Sequence, residues 1–180
     1  MPYRRLYLWV EGTDDQRFVD SVLRPRLEQH YSWVNVLPYA GWRKEKITKF
    51  IESIRGMRDS DYVFIADNDK HPCVSAKKEA VCQRIKSVEP HRIAIAVTEI
   101  ESWYLAGLNA DGCVKLEIAI PTDTTGLTKE QFDQLRRPSY ESRIDWMVEM
   151  LRHYSLDQAV TRNTSLRYFV AKYVPTLGNV

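Results

Sequence analysis

Four short apolar runs mark the first hundred residues, and the stretches between them repeat their apolar positions at helical spacing. Leu6 to Val10 predicts a first strand, Trp33 to Leu37 a second, Tyr62 to Ala66 a third and Arg92 to Val97 a fourth. Phe18, Val19, Val22, Leu23 and Leu27 trace an apolar helix face after the first run, with Pro25 expected to break or kink it. Ile47, Phe50, Ile51 and Ile54 trace another, and a polar helix is expected from about Ser75 to Ser87. Beyond the fourth run, Thr98 to Trp103 opens a short helix and Val114 to Ile120 reads as a fifth strand. Helices are then expected over about Lys129 to Arg136, Tyr140 to His153 and Thr164 to Tyr173.

Strands alternating with helices predict an α/β fold: a mainly parallel sheet with helices on both faces, and a helical C-terminal subregion. The expected division is a core over 1–127 and a helical extension over 128–180, packed together as one domain. The 180 residues suffice for a real core, and 44% hydrophobic with 28% charged residues is an ordinary globular profile. A net charge of +2 permits an anionic partner without demanding one. No apolar run is long enough to span a membrane, and Met1 to Arg5 leads into a strand without a signal-peptide core. Three scattered cysteines, Cys73, Cys82 and Cys113, suggest neither a disulfide framework nor a zinc site. A cytoplasmic setting is expected.

Chemistry enters at the strand ends. The third run stops in Asp67-Asn68-Asp69, and a D-x-D taken alone reads better as a turn than as a metal site. The first run, however, stops at Glu11, and the fourth is followed by Glu99 and Glu101. In a parallel sheet these ends share one edge, where ligands gather. Five carboxylates on one edge repel unless a cation neutralises them, so Glu11, Asp67, Asp69, Glu99 and Glu101 are candidate ligands for Mg²⁺ or Mn²⁺.

Glu11-Gly12 closing one strand and Asp67-Asn68-Asp69 closing a later one resemble the Toprim signature of topoisomerases, primases, small ribonucleases and OLD-type nucleases. Glu99-Ile-Glu-Ser-Trp-Tyr-Leu-Ala106 is similar to a stretch in a small Toprim-related bacterial group. The resemblance covers about the first 110 residues. It implies a Rossmann-like Toprim fold and cleavage of a phosphodiester with one or two Mg²⁺ or Mn²⁺ ions. It also implies Glu11 as general acid/base or metal ligand, Asp67 and Asp69 as metal-holding catalytic residues, and Glu99 or Glu101 supporting a second ion. A nucleic-acid substrate follows, with a separately encoded ATPase as partner and a role in bacterial defence. The lysine expected of OLD-type enzymes has no matching position.

Arg43 and Lys44 beside Trp42, Lys70 after the D-x-D, and Arg143 and Arg167 in the helical tail are candidate phosphate contacts. His71 and Cys73 alone do not make a zinc site. No nucleotide-binding glycine loop occurs. Two other functions compete: a catalytically idle Toprim-like binding or assembly module, and a phosphoryl-transfer domain using strand-end aspartate.

Overall fold

The computed structural model describes residues 3–174. The chain is α/β, with four parallel strands flanked by helices in a Rossmann-like arrangement. It separates into two compact units, Met1–Ile95 and Ala96–Val180. That division lies well before the 127/128 boundary drawn from sequence.

In the first unit, β1 (Arg5–Val10) is hydrogen-bonded to β2 (Trp33–Pro38) on one side and β3 (Ser60–Asp67) on the other. Strand β4 (Ile93–Ala96) completes the order β2-β1-β3-β4. Residues 6 to 10 of β1 are all buried, the mark of a central strand covered on both faces. The pleat sends Tyr7 and Trp9 to one face. There they join Ile47, Ile51 and Ile54 of α3 (Lys44–Gly56) and Val81 of α4 (Val74–Arg84) in a single apolar cluster. Leu6, Leu8 and Val10 point the other way, toward the face covered by α1 (Thr13–Phe18) and α2 (Arg24–Leu27).

Pro25 does not break its helix. A π-helical turn over Val19–Leu23 joins α1 to α2, and the Arg24 N–H bonds to the Val19 carbonyl five residues back. This wider turn places the proline, which has no N–H to give, in the first turn of α2.

The second unit is helical: α5 (Glu101–Ala106), α6 (Ala110–Leu116), α7 (Lys129–Gln134), α8 (Arg143–Arg152), α9 (Leu156–Arg162) and α10 (Thr164–Tyr173). The fifth strand expected at Val114 to Ile120 is instead the end of α6 and the segment after it. Asn109 caps α6 by accepting from the Gly112 N–H at 2.8 Å, and Cys113 and Leu116 form its buried stripe. Sequence reading missed α9, which Ser155 caps. No described helix is long and apolar enough to cross a membrane.

Candidate functional site

Two neighbouring strand ends build the site in the first unit. Asp67 is the last residue of β3, and Glu11 follows the last residue of β1. Beside them runs Tyr39, just past β2. Its N–H donates to the Val10 carbonyl at 2.9 Å, and the Ala40 N–H donates to the Glu11 carbonyl at 3.0 Å. The β1–β2 pairing thus continues beyond Pro38 and holds Tyr39 alongside Glu11. The tyrosine ring is buried and stacks on Phe64, centroids 4.5 Å apart.

Burial first, then the carboxylates of Glu11, Asp15 and Asp67, hold the Tyr39 phenol well above its ordinary value, and Arg84 acts in the opposite sense. Glu11 and Asp67, singled out from sequence, therefore bear on one hydroxyl. Asp15, a third carboxylate there, was not singled out. It is buried at the start of α1, where its Oδ2 accepts from the Gly12 N–H at 3.1 Å. Its signal was the Gly-x-x-Asp spacing of a helix start, which does not tell a cap from a ligand.

A cleft of about 190 Å³ opens beside these residues, lined by Glu11, Tyr39, Asp69, His71, Lys77 and Arg84 among others. Asp69 has a left-handed φ of 48°, which aspartate tolerates, and its Oδ2 is salt-bridged to Lys77 of α4. Asn68 steadies the turn, its Nδ2 donating to the His71 carbonyl at 2.9 Å while the His71 N–H returns to the Asn68 carbonyl. Lys70 is exposed on this turn, and Arg43 and Lys44 are exposed where α3 begins.

No family model, no curated protein and no solved structure matches this chain.

The remaining candidates lie in the second unit, where their surroundings are distinct. Glu99 accepts a hydrogen bond from the Lys129 N–H, so its carboxylate sits at the first turn of α7. Partial burial raises its pKa, the Lys129 N–H opposes that, and Glu101 and Glu130 add to the rise. Glu101 is buried and ion-paired with Arg143, whose Nε also donates to Asp133 at 2.7 Å. The expected metal ligand and the expected phosphate contact are thus partners of each other. This pair lay 42 residues apart in sequence, and no local pattern announces it. Arg167 is exposed on α10.

The loop that carries Glu99 is tightly held. Thr98 takes a φ of 67°, costly for a β-branched residue. Behind it lies a buried polar network. The Val97 N–H donates to Ser165 Oγ at 3.2 Å, as does Trp103 Nε1 at 2.8 Å. Ser165 donates in turn to Asn163 Oδ1 at 2.8 Å. Asn163 Nδ2 donates to the hydroxyls of Ser102 and Thr124 at 3.2 and 3.1 Å. Sequence reading did not find this network.

Proposed function

We propose that the chain is a divalent-metal-dependent phosphodiester-cleaving enzyme acting on nucleic acid, with its centre at Glu11 and Asp67. One observation carries the reading: Glu11 and Asp67 stand at the ends of two adjacent central strands, and Glu11 lines a cleft with Tyr39, Asp69, Lys77 and Arg84. Like charges gathered in this way favour a cation. Among the described residues no group of three or more His, Cys, Asp or Glu side chains stands ready to hold a metal. The donors fit Mg²⁺ or Mn²⁺ all the same, since Mg²⁺ takes one or two carboxylates and fills its shell with water and substrate phosphate. Such an ion supplies an activated water and neutralises charge on the phosphate.

The chain's own groups divide the remaining work. Glu11 and Asp67 hold the cation, and either can take a proton from the attacking water. Tyr39, kept protonated, adds no further negative charge beside them. Lys77 and Arg84 offer positive charge to the phosphate that enters the cleft. Regulation would fall to a separately encoded ATPase.

The test is cleavage of single- and double-stranded DNA and RNA with Mn²⁺ or Mg²⁺, alongside calorimetry with Mn²⁺. Wild-type protein is expected to bind the ion and cleave, and Glu11→Gln and Asp67→Asn are expected to lose both while staying folded. A second reading, an idle binding module, is favoured by the Asp69–Lys77 pair, which already neutralises one carboxylate. Wild-type protein that takes up no Mn²⁺ and cleaves nothing would leave that reading in place.

A further inference from the structure

Outside the carboxylate cleft, six basic side chains of the first unit line two adjoining surface depressions. A groove of about 440 Å³ runs between α3 and the end of α4, with Lys44 and Lys49 on one wall and Arg84 and Lys86 on the other. A shallower hollow of about 690 Å³ adjoins it, sharing Glu45 and Lys49 and adding Arg43 and Lys46. Together they hold six cations against two carboxylates, an excess of four where the entire chain carries +2. Glu45 lies four residues before Lys49 and Glu52 three after, yet none of the six cations forms an ion pair with a carboxylate among the described residues. Four other basic side chains of the same unit are paired: Arg4 with Asp61, Arg17 with Asp14, Arg24 with Asp20 and Lys77 with Asp69. Glu52 accepts from Ser87 Oγ at 2.7 Å, so one of the two acids is engaged by a neutral group.

Arg84 lines both the groove and the carboxylate cleft. Trp42 stands by the far hollow, with the Lys46 ammonium 4.0 Å from its ring centroid. A positively charged track with an aromatic ring beside it suits a single strand, whose backbone follows the cations while a base stacks on the ring.

We infer that the α3/α4 groove is a binding track for single-stranded nucleic acid, with Arg84 passing the strand into the carboxylate cleft. Only the fate of the bound strand rests on the phosphodiester-cleaving reading; the binding itself does not.

The experiment therefore separates them. Fluorescence anisotropy with a labelled 20-nucleotide oligomer, in EDTA, reads binding without metal or cleavage. Lys49→Gln/Lys86→Gln is expected to weaken binding about tenfold or more, and the slope of log affinity against log salt is expected to fall by about 1.4, near 0.7 per lost phosphate contact. The same double change on α2 and beyond, Arg26→Gln/Arg58→Gln, is expected to leave affinity within about twofold, and thermal melts check that every variant folds. Unchanged affinity in the groove variant, an equal loss in the Arg26/Arg58 control, tighter binding to a duplex of the same length, or equal binding to phosphatidylserine vesicles would each overturn the assignment. Wild-type protein that binds the oligomer through the groove but never cleaves it keeps the track and sinks the enzyme.

Discussion

Removal of the Asn163 side chain tests the buried network that holds the Glu99 loop. In Asn163→Ala, α10 loses its cap, because Oδ1 accepts from the Leu166 N–H at 3.0 Å; caps of this kind contribute about 1 kcal/mol. Ser102 and Thr124 lose the amide that donates to them, and the Ser165 hydroxyl loses its acceptor. Each buried polar group left short costs about 1 kcal/mol or more, and Asn163 itself is 1% exposed, so water does not readily replace the amide. The expected loss is about 3–4 kcal/mol, a drop in Tm of about 6–16 °C for a chain of this size. Urea unfolding followed by circular dichroism measures the loss. Amide hydrogen exchange locates it: the Leu166 and Val97 N–H groups are expected to lose protection before the strands of the first unit do. A loss under about 1 kcal/mol with the Leu166 amide still protected would show that the network contributes little.

Two further outcomes follow from the second unit. A Cβ at Gly107 would lie 2.3 Å from the Tyr154 ring, which is fixed by its hydroxyl donating to the Trp103 carbonyl at 2.9 Å. Gly107→Ala is expected to cost about 2 kcal/mol or more in denaturant unfolding, and Tyr154→Leu in the same background to recover part of that. Glu149, held down to a pKa of about 2 by Lys115 and then Arg152, gains stability from its charged form. That gain is present above pH 4.5 and fades as pH falls toward 2, so the deficit of Glu149→Gln is greatest at neutral pH and shrinks below 4.5. Because Lys115 and Arg152 are 55% and 68% exposed, the neutral-pH deficit is expected near 1 kcal/mol, measured by urea unfolding across pH 7 to 3.

The strands of the first unit were legible because each is a short apolar run, and in β1, β3 and β4 burial on both faces leaves no competing period. Val114 to Ile120 misled for a related reason. Its apolar residues alternate as they do in a strand, but Asn109 starts a helix upstream and Glu117 ends it in a left-handed conformation at φ 53°. The π turn before Pro25 was illegible because the proline announces a disturbance without saying how the chain absorbs it. Glu11 and Asp67 could be named from sequence because strand ends of a parallel sheet are predictable places. Tyr39 and Asp15 could not, since their roles depend on which strands are neighbours. The same holds for Glu101 and Arg143: each looked available alone, and only tertiary structure shows them joined.

Strand order has a consequence for how the molecule is made. Of the four described strands β1 precedes the others in the chain yet lies in the interior of the sheet, and its second edge is covered only when β3, about fifty residues later, has emerged. Until then a nascent chain carries a strand apolar from Leu6 to Val10 with an open edge, the state most prone to pairing with a stranger. Fragments ending before Asp67 should thus gather in inclusion bodies, whereas those reaching Ala96 can close the sheet.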